Sequence, residues 1–233
     1  MPHIEHWLFD LDDTIYPASS GLFRHVSSRI THRISELLGL PEDAARAVQR
    51  AYWRKYGTSL RGLVVEHGVD PEPFLAYVHD VPVEDVLAPD PELAAMLRAL
   101  PGERHVFTNG PSEFAERVLA RLGARDAFTH LFDIRHAEFV PKPDPVPYVR
   151  ALARLGVDPA RVVLVDDAPQ NIAQGRAMGL RTVWLRSPHS VAGGSAGNSV
   201  ALGGEKPEGA AADVTLERLS DLPAAVASLS TTE

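Results

Sequence analysis

Hydrophobic spacing changes character along the chain, and each change marks an element. Ile4 to Phe9 is an apolar run of strand formers halted by the acidic cluster Asp10, Asp12 and Asp13, which predicts a strand. Leu22, Val26, Ile30, Ile34 and Leu38 then recur every fourth residue, one face of a helix that starts near Ser19 or Ser20. Pro41 opens a second helix carrying Ala44, Ala45, Val48, Tyr52 and Trp53, and Gly57 interrupts it. Leu60, Leu63, Val64 and His67 predict a third helix, and Phe74 to Val78 a fourth. No strand is predicted between residues 17 and 88.

After Pro89 the pattern alternates. Helices are predicted over Glu92 to Leu100, Phe114 to Leu122, Tyr148 to Leu155 and Ile172 to Met178. Strands are predicted over His105 to Thr108, Leu131 to Ile134, Val162 to Val165 and Arg181 to Leu185. Val162 to Val165 is apolar throughout, as a strand buried on both faces must be. Ser187 to Ala212, rich in Gly, Ser and Ala, reads as a long loop, with an insertion over Val191 to Gly209. Asp213 to Leu216 adds an edge strand and Leu222 to Leu229 a last helix. Alternating helices and strands imply an α/β fold: a Rossmann-like, doubly wound parallel sheet. The expected division is a sheet domain from residues 1–16 and 89–233, with an all-helical insert over 17–88. Open α/β sheets bind ligands beyond the carboxyl ends of their strands, so the informative residues should follow each strand.

Composition narrows the function classes. Of 233 residues, 45% are hydrophobic and 23% charged, as in an ordinary globular protein. The net charge of -8 repels phosphate backbones and argues against a general nucleic-acid binder. A small anion can still bind where local cations or a metal offset that field. The absence of cysteine excludes disulfides, thiolate metal sites and cysteine nucleophiles. No apolar run reaches a membrane span of about 18 residues. The acidic N-terminal stretch is unlike a signal peptide, so the expected location is cytoplasmic, with no membrane partner.

Four polar groups follow predicted strands. Asp10 and Asp12 lie two apart on extended backbone and so face one pocket. Carboxylates that close repel, so one holds a proton or a cation sits between them. Aspartates also suit a turn or helix cap, and no glycine follows as a calcium loop requires. Thr108, Asn109 and Gly110 can donate hydrogen bonds to an anion, or form a capped strand-to-helix turn. Lys142 stands among Pro141, Pro143 and Pro145, which either hold an ammonium in place or only stiffen a loop. Asp166 and Asp167 end the buried strand, where adjacent acids are costly without a cation; Asn171 can order either one.

The conjunction is more specific than its parts. Asp-x-Asp-x-Thr, Thr-Asn-Gly, Lys-Pro and Asp-Asp, in this order, resemble the haloacid dehalogenase superfamily, most of whose members are magnesium-dependent phosphatases. The resemblance spans nearly the whole chain, and the insert resembles the helical cap of the type I members. Ile15-Tyr16-Pro17, the Tyr56 to Leu63 stretch and Val140 to Pro145 are similar to the pyrimidine 5′-nucleotidase branch. The resemblance implies Asp10 as nucleophile, Asp12 as general acid and base, and Mg2+ as cofactor. It implies metal ligation by Asp10, the carbonyl of Asp12 and Asp167, with Asp166 either a ligand or the holder of a coordinated water. Thr108, Asn109, Lys142 and the N–H groups of Leu11 and Asp12 would hold phosphate oxygens, and Tyr56, Thr58, Ser59 and Arg61 the leaving group. Tyr56 and Leu60 are equally readable as helical core.

An acid at Asp12 argues against the dehalogenases, which need no proton for a halide. Gly57 to Gly62 is not a phosphate-binding Walker loop, since Leu63 stands where lysine is required. His3 and His6, an N-terminal pair outside any His-Glu-x-x-His pattern, read as neither ligand nor base. The expected partner is a small phosphorylated metabolite. A sugar-phosphate phosphatase or mutase, or a non-catalytic binding protein on the same fold, are the alternatives.

Overall fold

A computed structural model describes residues 3–186 and 212–229. Six strands form one parallel sheet: β1 (His6–Phe9), β2 (Glu103–Phe107), β3 (His130–Phe132), β4 (Val162–Asp166), β5 (Arg181–Leu185) and β6 (Val214–Leu216). Their spatial order is β3-β2-β1-β4-β5-β6, the doubly wound arrangement the helix–strand alternation predicts. From β1 the chain builds outward on one side through β2 and β3, then returns to place β4 on the other. The crevice at that reversal, beyond the ends of β1, β2 and β4, is where such sheets bind ligands.

Period-two alternation gives each strand two faces. Trp7 and Phe9 of β1, with Val163 and Val165 of β4, pack on one side against Phe114, Val118 and Leu122 of α7 (Ser112–Leu122). Leu8, Val162 and Leu164 pack on the other, against Tyr148 and Ala151 of α8 (Pro145–Leu155) and Ile172 of α9 (Pro169–Ala177). Both faces are dry, which explains why Val162 to Val165 lacks any polar alternation.

Between β1 and β2 lie only helices: α1 (Leu22–Leu38), α2 (Glu42–Tyr56), α3 (Ser59–His67), α4 (Pro71–Val78), α5 (Val83–Val86) and α6 (Pro91–Ala99). The first four share a separate apolar cluster around Ile34, Leu60, Leu63, Phe74 and Val78. Polar side chains start several of them: Thr58 accepts the Arg61 N–H, and Asp70 and Asp90 accept those of Glu72 and Leu93. Gly57 ends α2 at φ 84°, a value that disfavours any side chain. The last helix, α10 (Leu222–Leu229), covers the sheet edge.

Four expectations need correction. The first strand begins at His6 rather than Ile4. The third ends at Phe132 rather than Ile134, because the Asp133 carboxylate accepts the N–H groups of Arg135 and His136 and turns the chain into a short helical turn. The one-turn helix α5 has no periodicity long enough to announce it. The helix face of α1 drifts, so that Thr31 is buried and hydrogen-bonded to Gln49 while Ile30 is only partly covered. Of the Gly-rich Ser187 to Ala212 segment, only Ala212 lies within the described residues. No helix among them is long and apolar enough to cross a membrane.

Gly102 turns the chain into β2 at φ 81°, and a Cβ there would lie 2.4 Å from the Glu5 carbonyl oxygen. Gly102→Ala should therefore destabilise the fold by about 1–3 kcal/mol, read as a lower urea midpoint with unchanged slope. An unmoved midpoint would mean the turn tolerates a side chain.

Candidate active site

β1 and β4 are hydrogen-bonded neighbours, and the register continues past β1, where the Asp10 N–H donates to the Val165 carbonyl at 2.9 Å. Asp10 and the two aspartates that end β4 thus meet. Carboxylate oxygens of Asp10, Asp166 and Asp167 lie within 4.8 Å of one another. Beyond Asp12 the backbone enters the left-handed region at Asp13 (φ 60°) and folds back, and Asp10 and Asp12 line one cavity, as their spacing predicts.

Lys142 closes the cluster from the β3–α8 connection. Its ammonium donates to Asp10 Oδ1 at 2.8 Å, Asp166 Oδ2 at 2.7 Å and the Phe107 carbonyl at 2.7 Å. Those three bonds use all three N–H groups of a residue only 2% exposed. Burial alone would lower its pKa; Asp10 and Asp166 overcome that and hold it above the ordinary lysine value. In this geometry its three N–H groups are all engaged within the chain.

Asn109 is engaged with the same loop. Its amide nitrogen donates to the Lys142 carbonyl at 3.2 Å and its oxygen accepts the Lys142 N–H at 2.8 Å. The side chain lines the cavity but clamps the lysine-bearing loop. Thr108 Oγ1 accepts the Gly110 N–H at 3.0 Å, which leaves its hydroxyl proton to donate. Among the described residues the N–H groups of Leu11 and Asp12 make no hydrogen bond, so both are available to an incoming oxyanion.

The two β4 aspartates divide. Asp166 is saturated: Asn171 Nδ2 reaches both its oxygens at 3.0 Å, Ala168 N–H donates to Oδ1 at 2.9 Å, and Lys142 holds Oδ2. Asp167 lines the cavity, and its buried Oδ2 has no hydrogen-bond partner among the described residues. Desolvation, then repulsion by Asp166 and Asp10, pushes its pKa far above the ordinary carboxylate range. Desolvation raises Asp10 in the same direction against the pull of Lys142. Asp12 is pushed up to about 6 by burial, opposed by the hydroxyl of Tyr16, which donates to its Oδ1. Ionised together, Asp10, Asp166 and Asp167 would outnumber the one ammonium by two charges, and that excess is why burial and mutual repulsion raise the pKa values of Asp10 and Asp167 where no cation is bound. All the donors are oxygen, the set that hard divalent cations such as Mg2+ prefer. The cluster fits such an ion on its chemistry and on the orphaned Asp167 oxygen.

The cavity holds about 150 Å3 and is lined by Asp10, Asp12, Asn109, Lys142 and Asp167 from the sheet side and by Phe23, Val26, Ile30, Phe74 and Val78 from the helical segment. Thr58 and Ser59 reach it from the helical segment; Tyr56 and Arg61 do not. They line a neighbouring open cleft of about 590 Å3 with Trp53, Arg54 and Lys55, and the Tyr56 hydroxyl is committed to Glu66. Tyr56 is the last residue of α2 and Arg61 the third of α3, so both flank the Gly57–Leu60 stretch that lines the cavity without lining it themselves.

Sequence reading missed His79. It lies just past α4 in the cavity wall, with its Nδ1 bonded to the Leu75 carbonyl at 2.9 Å. Its free Nε2 stands 3.4 Å from where a Cβ on Gly110 would be. Burial lowers its pKa to about 4, so it is neutral at pH 7. A lone histidine after a helix carries no local signal of such a position.

A doubly wound sheet with aspartates at the ends of two adjacent central strands, joined by a buried lysine, defines a class of hydrolase. Residues 4–179 match the haloacid dehalogenase-like hydrolases, and the chain belongs to that family. It is 26% identical over 189 residues to phosphate metabolism protein 8 of Saccharomyces cerevisiae, covering 75% of this chain and 59% of that protein. It is 29% identical over 195 residues to the glyceraldehyde 3-phosphate phosphatase of Methanopyrus kandleri, covering 77% and 82%. The crystal structure of a HAD phosphatase from Thermococcus onnurineus superimposes with a TM-score of 0.60 at 20% identity, over 95% of this chain and 97% of that one, a likeness of fold.

Removing the ammonium leaves Asp10 and Asp166 buried against each other. Lys142→Met in metal-free buffer should cost about 3–5 kcal/mol, a fall in Tm of about 10 °C. A Tm within about 2 °C of wild type would mean that the carboxylates are held neutral without Lys142.

Proposed function

We propose that the protein is a Mg2+-dependent phosphatase that hydrolyses a small phosphomonoester through an aspartyl-phosphate on Asp10. The observation that carries this reading is the meeting of Asp10, Asp12 and Asp167 in one cavity, with Lys142 holding Asp10 from behind. Asp10 is oriented by Lys142 and free to present its second oxygen to phosphorus. As that oxygen bonds to phosphorus, the bond to the leaving alcohol breaks, and Asp12 gives the alcohol its proton. Asp12 then takes a proton from water as the water attacks phosphorus, which frees inorganic phosphate and restores Asp10. Tyr16 fixes the Asp12 carboxylate for both transfers.

Asp10, the Asp12 carbonyl and Asp167 would hold Mg2+; Asp166, already saturated, would position Lys142 and Asn171 instead. Bound there, the ion supplies charge that offsets the repulsion between Asp10 and the phosphate. The N–H groups of Leu11 and Asp12 and the Thr108 hydroxyl would hold the phosphoryl oxygens. Residues 17–88 act as a cap that covers this cavity and excludes bulk water.

The cavity is smaller than the roughly 300–1,000 Å3 of drug-sized sites, which favours a compact leaving group. The M. kandleri relative, named for a three-carbon phosphate, is in keeping with that. A pyrimidine 5′-nucleotide is the second reading, supported by Trp53, Tyr56 and Arg61 in the adjoining cleft, where a nucleoside could extend.

The test is phosphate release from glyceraldehyde 3-phosphate, phosphoglycolate, sugar phosphates, UMP and CMP, with and without Mg2+, beside halide release from a 2-haloacid. Mg2+-dependent phosphate release that Asp10→Asn lowers by at least about 10³-fold is expected. Near-wild-type turnover in Asp10→Asn, or halide release alone, would overturn the reading. Preference for UMP and CMP, with a KM raised at least about fivefold by Arg61→Ala and kcat little changed, would select the nucleotide. Preference for the three-carbon esters, indifferent to Arg61→Ala, would select the compact substrate.

A further inference from the structure

We propose that His6, Glu103 and His105 form a second metal site, for a transition-metal ion of the zinc class, at the end of the sheet opposite the catalytic carboxylates. The parallel register sets His6 beside Glu103 and Leu8 beside His105. Period two then puts all four side chains on one face of the sheet. His6 Nδ1 faces His105 Nε2 at 3.0 Å, and a Glu103 oxygen completes a set of three ligand atoms that all lie within 4.8 Å of one another.

The three residues differ in a way that suits a site reached from solvent. His105 is fully buried, its ring stacked on His130 with centroids 5.2 Å apart at 13°. Its Nδ1 has no partner, so Nε2 is the ring's one engaged nitrogen. His6 is half-buried and Glu103 exposed, so an ion could enter from the Glu103 side.

A single N–H···N bond between the two rings would account for the 3.0 Å contact. It would leave the Glu103 carboxylate beside them with neither ion pair nor hydrogen bond among the described residues. One ion takes up both rings and the carboxylate together. Two imidazoles and a carboxylate suit zinc, copper or nickel and do not suit Mg2+. His6 precedes Asp10 by four residues, about 13 Å along the strand, so the site is separate from the catalytic cluster. An ion here would tie the start of β1 to the start of β2.

The probe is Zn2+ alone, titrated calorimetrically into the whole chain in excess Mg2+ to keep the catalytic carboxylates occupied. One equivalent is expected in the wild type, with its affinity lowered at least about tenfold in His6→Ala and in Glu103→Gln separately. Zinc at about 100 times its Kd should raise the wild-type Tm by about 5 °C and leave the double variant unmoved. Both variants lie at the open end of the cluster. Their zinc-free Tm and their Mg2+-supported hydrolysis should match wild type, which separates this test from that of the catalytic reading. No zinc equivalent in excess Mg2+, or an equivalent that either substitution leaves unchanged, overturns the proposal.

Discussion

Burying an ammonium among carboxylates at the ends of central strands is the constraint on which the site depends. Isolated, each ion would carry a desolvation cost of several kcal/mol. Lys142 meets it with three hydrogen bonds, one to each of Asp10, Asp166 and the Phe107 carbonyl. Those acceptors come from β1, β4 and β2, so one side chain fastens the ends of three neighbouring strands. Asn109 and Asn171 support it from two further directions, through the Lys142 backbone and the Asp166 carboxylate. With Asp10, Asp166 and Asp167 all ionised, the cluster would still be short of positive charge. That shortage is what a divalent cation would relieve.

The same economy separates residues that hold from residues that act. Asp166, Asn109 and Lys142 have their polar groups committed within the chain. Asp167, Asp12 and Asp10 face the cavity, beside N–H groups of Leu11 and Asp12 that make no hydrogen bond among the described residues. A site that orders its lysine through neighbours, rather than through substrate, is preorganised before anything binds. The helical segment supplies the opposite, apolar wall. It is also tied to the sheet by Arg135, which pairs with Glu72 of α4 at 2.7 Å and with Glu113 of α7 at 2.8 Å. These pairs are partly exposed and individually weak.

Much of the sheet was legible because both its faces are buried. Val162 to Val165 has no other use for four consecutive apolar residues, and Arg181 to Leu185 and Leu222 to Leu229 lie where the pattern puts them. Ends set by a side chain were not legible: the Asp133 cap that shortens β3 is a contact with the following turn rather than a matter of periodicity. In the site, the motifs of Asp10, Thr108 and Asp166 were readable because each stands at or just past a strand end, where polar residues break an apolar run, and that of Lys142 because three prolines surround it. His79 was not, since only the packing of α4 against the Gly110 turn brings it to the cavity.

The sequence by itself determined the order of elements, the helical segment after the first strand and the residues from which the site is built, since these follow from local periodicity and residue chemistry. Tertiary structure decided what each polar group does. Which aspartate keeps a free oxygen, whether Lys142 has an N–H to spare, and which side of the Gly57 junction faces inward all depend on partners distant in sequence. The separation of His6 from His105 is 99 positions, and that of Lys142 from Asp10 is 132. Contacts of that range are created by the parallel pairing of β1 with β2 and β4, and no local pattern encodes them.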